Sequence, residues 1–345
     1  MALTDNNRHP QGDAILLERK KRILNVKTLA FLALSVSLVY VLIRKLDITE
    51  TAALIKNANI ALIIASCFTY FLSNYFKSLR IRVLLGDFRI PMFDLYTITS
   101  YHNFFNQVLP ARTGELTFVY YLKKIGSVDI SKGLHILVVI RVFDFILISV
   151  IFICSVILYF GEKTSPLLII LGLLFFIISI ITLFNLKWLV IGAGRLFHLI
   201  TERFNLKKQP LVAKITAKID MVVEEFSSFK AGPLIPMLAI TSILIWGALY
   251  LLFYLTIRSF GIDVGVIQSV VGSTGGVLTN VLPINSFGSF GTLEVGWTGG
   301  FMLVGMSAHD AIFTGFGYHI ITFFASGFIA LVCFTVKSLK SKVES

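Results

Sequence analysis

A small set of ionisable side chains stands inside otherwise apolar stretches of this 345-residue chain: Arg112 with Glu115, Arg141 with Asp144, Glu294, and the histidines His102, His135 and His319. A charge at mid-bilayer costs ~2.5–3.5 kcal/mol even on the most lenient scale, so such groups turn toward protein or a water-filled path. One chemistry open to them is anion capture. The guanidinium of Arg112 or Arg141 offers a flat two-point fork to a phosphate, a geometry that suits Arg better than Lys. The plainer reading is that Arg141 and Asp144, three residues apart and therefore on one helical face, neutralise each other. Both can hold, with the carboxylate keeping the arginine until a phosphate competes for it. A third option makes Glu115 or Asp144 a general base and the arginines phosphate clamps, as a lipid-phosphate transferase would need. No acidic pair for a metal-bound sugar nucleotide, no Walker loop and no nucleophile motif accompanies them, so no catalytic residue and no cofactor is expected. No histidine or carboxylate spacing suits a metal, and His319 reads as a packed or hydrogen-bonded side chain.

The elements that must hold these groups are membrane helices. Hydrophobic residues make up 56% of the chain and charged ones 14%, with a mean hydropathy of +0.84, against ~45–50% and ~25% in soluble domains. A soluble enzyme, a disulfide scaffold and a disordered tail are excluded. Cys67, Cys154 and Cys333 lie in apolar runs and read as small buried hydrophobes. The net charge of +12 comes with no aromatic-interleaved basic stripe, so nucleic acid is not an expected partner.

Six segments approach the ~17–25 residues a span needs: Leu29–Ile43, Ile60–Phe76, Leu134–Phe160, Leu167–Phe184, Leu234–Ile257 and Ala311–Val336. Two more, Pro91–Leu122 and Val264–Val304, are apolar but broken by Pro, Gly and polar residues, and read as re-entrant hairpins around a working site. With the N-terminus cytoplasmic, the outside loops carry only Arg44, Lys45, Lys56, Lys163 and Arg258, and the membrane regions only Arg112 and Arg141, out of 31 Lys and Arg. That is the asymmetry of the positive-inside rule, with the segment from Lys77 to Arg89 counted as cytoplasmic. Between Arg195 and Lys230, Leu211, Ile215, Ile219, Val222, Phe226 and Phe229 recur at helical spacing, which predicts one amphipathic cytoplasmic helix, its mixed charges suited to docking on protein.

Residues 60–160 and 234–336 share one order: span, broken hairpin, span. Pro110 falls 50 residues after Ile60, and Pro283 falls 49 after Leu234. The first unit starts outside and the second inside, which makes an inverted repeat of the kind that lets two halves rock around one site. Asn106 near Pro110 and Asn285 near Pro283, with His102, Asn103, Gln107 and Asn280, favour a hydrated groove between the hairpins. The expected architecture is an all-α polytopic membrane protein with six spanning helices and two re-entrant or broken hairpins. It comprises a basic tail 1–28, one membrane region 29–336 (repeat one 60–160, linking span and amphipathic helix 167–230, repeat two 234–336) and a tail 337–345.

The run Leu109 to Glu115 (LPARTGE), then Arg141 to Asp144 (RVFD), then Leu282 to Glu294 (LPINSFGSFGTLE) resembles the membrane region of lysylphosphatidylglycerol synthases, a flippase-like family. The likeness runs from the second span to the last and rests on Pro110, Arg112, Gly114, Glu115, Arg141, Asp144, Pro283, Gly288, Gly291 and Glu294. It departs where the family usually has a Gly pair and this chain has Gly288-Ser289. The resemblance implies a stand-alone member, without the soluble aminoacyl-transferase domain, that moves a phospholipid, hopanoid-type or polyprenyl-linked lipid between leaflets. The expected substrate-binding set is Arg112, Glu115, Arg141, Asp144, Glu294, Asn106 and Asn285. The expected location is the cell inner membrane with both termini cytoplasmic. The alternatives are a non-catalytic partner of a glycosyltransferase or lipid-modifying enzyme, and the transferase above.

Overall fold

Apolar runs without interior Pro become long helices, and the two Pro/Gly-broken regions become pairs of short ones. The computed structural model describes residues 33, 35–86, 88–109, 113–204, 209–228, 232–281 and 287–344. Pro110, Arg112, Pro283, Asn285 and the basic tail lie outside the described residues. The helices are α1 (35–43), α2 (Ile48–Lys56), α3 (Ile60–Leu85), α4 (Met92–Val108), α5 (Gly114–Gly126), α6 (Ile130–Phe160), α7 (Pro166–Arg203), α8 (Pro210–Ser228), α9 (Ile235–Ser259), α10 (Val266–Val281), α11 (Thr292–Leu303) and α12 (Ala308–Glu344). Five of them, α3, α6, α7, α9 and α12, are long and apolar enough to cross a membrane. The chain is an all-α polytopic membrane protein. Of the sixth expected span, Leu29–Ile43, residues 33 and 35–43 are described, and 35–43 form α1.

Three boundaries move. α3 continues to Leu85, so Lys77 and Arg80 sit on a spanning helix and not in a cytoplasmic loop. α7 likewise runs on through Lys187 to Arg203, and the amphipathic helix is the separate α8. α2 occupies what the sequence reading took as a plain outside loop. Asp47 caps it, accepting from the backbone N–H of Thr49 at 2.8 Å and Glu50 at 2.9 Å, and these two donors hold its carboxyl below the usual range. The Asp47-Ile48-Thr49-Glu50 pattern was a readable start signal.

α7 shows how membrane and protein divide one helix. Its buried positions are Gly172, Ser179, Leu186, Gly194 and Thr201, a seam about every two turns that packs on α6 and α8. Most of the remaining surface is exposed Leu, Ile and Phe, which suits contact with lipid. α8 is held to protein, as its mixed charge predicts: Lys132 Nζ meets Glu225 Oε1 at 2.8 Å and His198 Nε2 lies 2.8 Å from Asp220 Oδ1. The cysteines are free, but only Cys333 is buried. Cys67 is half-buried and Cys154 exposed on α6, because a span with lipid on one side needs no polar partner for a thiol.

The repeat is inverted in space. α3 and α9 pack along their length and run antiparallel: Asn59 N donates to Ser259 O at 2.6 Å, and Arg80 Nη1 donates to Ser242 Oγ at 3.0 Å. The other contacts exchange in pairs. α4 packs on α12 while α10 packs on α6, α3 meets α12 while α9 meets α6, and each hairpin, α4–α5 or α10–α11, closes on the last helix of its own unit. In α10–α11 the approach is backbone to backbone. A Cβ on Gly275 would stand 2.3 Å from Gly296 O, and one on Gly300 would stand 2.1 Å from Gly272 O, which is the small-residue packing of membrane helices.

Candidate functional site

Two apolar clusters form the interior, one built around α9 to α12 and the other around α4, α5, the C-terminal end of α3 and the first half of α6. Between them lies a polar cavity of about 250 Å³ whose walls include Ile148, Trp246 and Phe253 from the first cluster and Ile81 and Phe118 from the second. α3 brings Lys77 and Arg80 to it, α4 brings His102, Asn103, Asn106 and Gln107, α6 brings Arg141 and Asp144, and α12 brings His319 and Thr322.

Asp144 does not pair with Arg141. Its carboxylate accepts from Arg80 Nη1 at 2.7 Å and Nη2 at 3.3 Å and from Trp246 Nε1 at 3.1 Å. Arg141 instead donates from Nη2 to Glu115 Oε1 at 2.6 Å. Spacing by three placed the two on one face, but the long guanidinium arm reaches the hairpin, and α3 delivers a second arginine with both nitrogens facing the carboxylate. Arg80 is 3% exposed, so an unpaired charge there would be costly.

Glu294 repeats the arrangement in the second unit. It sits in the first turn of α11 as Glu115 does in α5. Its Oε2 accepts from Gly291 N at 2.7 Å, and its Oε1 lies 2.6 Å from His319 Nδ1. Each hairpin's second helix is thus tied by a glutamate to the last helix of its own unit, through Arg141 in one and His319 in the other. The two differ in burial, 28% and 19% exposed for Arg141 and Glu115 against 2% and 0% for His319 and Glu294. Phe290 stacks on the His319 ring at 4.0 Å.

The hairpins meet. Gly288, at φ +62°, presses on α4 so closely that a Cβ would stand 2.9 Å from Gln107 O, and Ser326 Oγ donates to Gln107 Oε1 at 3.3 Å. Gly114 opens α5 against Asn106, where a Cβ would be 2.5 Å from Asn106 Cα, so the first hairpin folds tightly on itself. Of the expected set, Arg141, Asp144 and Asn106 line the cavity, Glu115 and Glu294 anchor side chains that do, and Arg112 and Asn285 fall outside the described residues.

Lys77 and Arg80 were missed because basic residues at the end of an apolar run look like a cytoplasmic flank. A usable signal was the polar row Ser66, Thr69, Ser73, Lys77 and Arg80, whose spacing of three and four continues one helical face. Lys77 is half-buried and donates to Asn103 Oδ1 at 3.4 Å. No carboxylate lies in ion-pair range of it among the described residues. Asn103 is held in turn by Asn74, to whose Oδ1 it donates at 2.6 Å. Asn106 Oδ1, Arg80 Nε and Arg141 Nε are buried without a hydrogen-bond partner.

Comparison with curated proteins and with solved structures finds no match. The family model described as "Lysylphosphatidylglycerol synthase TM region" matches residues 28–330, which takes in both hairpins, the polar cavity and the repeat. On that match the chain belongs to the lysylphosphatidylglycerol synthase TM region family, a membrane region linked to the handling of lipids.

Proposed function

We propose that the chain moves an anionic lipid between leaflets, its headgroup passing through the polar cavity while the hydrocarbon stays in the bilayer and the lipid leaves chemically unchanged. The observation that carries this is Lys77. Arg80 and Arg141 are each met by a carboxylate, whereas Lys77 faces the same cavity with an amide oxygen as its one partner among the described residues. Lys77 is thus the cavity cation that no described carboxylate meets, and it is open to an anionic oxygen. A phosphate supplies one. Placing it where two inverted hairpins touch supports a transport role, since small shifts of either unit would expose the site to one side or the other. In this reading the membrane is the cell inner membrane and both termini are cytoplasmic.

The test is reconstitution of the purified chain in vesicles carrying a headgroup-labelled phosphatidylglycerol, with a membrane-impermeant quencher outside. The protein should speed loss of signal from inner-leaflet lipid, and Lys77→Met and Arg141→Gln should each slow it about tenfold, the loss of one ~1.4 kcal/mol contact. A rate no faster than in empty vesicles, or recovery of chemically altered lipid, would overturn the proposal.

A further inference from the structure

A second cavity, of about 410 Å³, lies between α6, α7 and the second hairpin. Its walls are hydrocarbon and glycine. The single hydroxyl among them, Ser149, spends its proton on Phe145 O at 2.6 Å within α6. The two cavities share Ile148. Along α6 the positions Asp144, Ile148, Phe152, Val156 and Phe160 recur every four residues on one face. Asp144 lines the polar cavity, Ile148 lines both, and the last three line the apolar one. A molecule lying on this face would therefore meet charge at one end and only hydrocarbon after it. From Ile148 to Phe160 is twelve residues, ~18 Å at 1.5 Å per residue, close to the ~15 Å half-thickness of a ~30 Å hydrocarbon core.

The glycines sharpen the case. Gly275, Gly296 and Gly300 line this cavity, but each is already required by packing, since a Cβ on any of them would stand within 2.6 Å of another residue's atoms. Gly299 is different: it lines the cavity, it is exposed, and a Cβ there meets nothing within 4 Å. Helix packing does not demand a glycine at 299. A bulky side chain at this position on the cavity wall has no packed neighbour to hold it away and should obstruct the cavity.

We infer that the apolar cavity is a binding site for one hydrocarbon chain of the lipid whose phosphate occupies the polar cavity. This rests on the headgroup reading above and adds to it that the chain is gripped by protein along α6 and α11 during transfer, and is not left free in the bilayer. Ile148 marks the point where headgroup and chain join.

The experiment uses the full chain in vesicles containing phosphatidylglycerol with a photoactivatable diazirine near the end of one acyl chain. Adducts are mapped after irradiation. They should concentrate on α6 between Phe152 and Phe160 and on α11 around Gly299. Unlabelled phosphatidylglycerol should compete, and phosphatidylcholine with the same chains should not. Gly299→Trp should reduce these adducts about tenfold, whereas Gly299→Ala should not. Because Gly299→Trp can disturb folding, Gly299→Cys in a Cys154→Ser background is also blocked with a bulky thiol reagent after reconstitution, with the same expected loss. Adducts spread evenly over the lipid-facing side of α7, or adducts that persist after blocking, would each overturn the inference, whereas equal competition by phosphatidylcholine with the adducts still at these positions would remove the headgroup reading alone. Adducts that stay at these positions when Lys77→Met and Arg141→Gln leave lipid capture unchanged would support the chain site and remove the headgroup reading instead.

Discussion

Arg80 on α3 and Asp144 on α6 meet through both terminal guanidinium nitrogens, at 2.7 and 3.3 Å, with side chains 3% and 10% exposed. The contact joins two helices of the first unit, and through Ser242 and Trp246 it also joins α9 of the second. There a charge pair of one repeat is completed by hydrogen bonds from the other.

Removing either partner leaves a buried charge without its counter-ion. Arg80→Ala or Asp144→Ala should lower stability by about 3–5 kcal/mol, whereas Arg80→Met with Asp144→Leu should recover most of that loss. Thermal unfolding in detergent measures both. A stable double variant with undiminished lipid transport would limit the pair to a structural role.

Lys77 should behave in the opposite way. With no carboxylate beside it, Lys77→Met removes a partly desolvated charge and should leave stability equal or higher, while transport of an anionic lipid falls. Lys77→Arg should keep transport. Loss of stability in Lys77→Met, measured in the same unfolding assay, would mean that the ammonium already has an anion in the folded chain.

Glu294 serves the Gly291 backbone N–H and His319 together. Glu294→Gln retains an oxygen for one of them and should cost less than Glu294→Leu, which orphans both at about 1–3 kcal/mol each. Hydrogen exchange should then rise in α11 and its entry turn and stay unchanged in α4–α5. Equal exchange in both hairpins would contradict a local anchor.

Topology is open to direct labelling. Cysteines at Thr164 and Gly261, in a background without exposed thiols, should react with a membrane-impermeant reagent from outside the cell, and one at Ser341 only after permeabilisation. Labelling of Gly261 and Ser341 from the same side would break the proposed orientation of the second unit.

Composition and periodicity are local, and what depends on them was legible. The apolar excess named a membrane protein. The Pro and Gly breaks near 110 and 283 divided two regions into short helices, and the repeated order of span, hairpin and span predicted two units of opposite direction, which the antiparallel α3 and α9 display. The partnership of charges was not legible. Asp144 found Arg80, 64 residues away, and Arg141 found Glu115, 26 residues away, because ion pairing depends on which helices become neighbours, and no spacing along one helix states that. Lys77 and Arg80 were misplaced for a related reason. A basic residue at the end of an apolar run satisfies the positive-inside pattern whether it reaches water or turns into the protein, and only the packing of α3 against α6 and α9 decided that these two turn inward, one toward a carboxylate and the other toward an amide oxygen in the cavity wall.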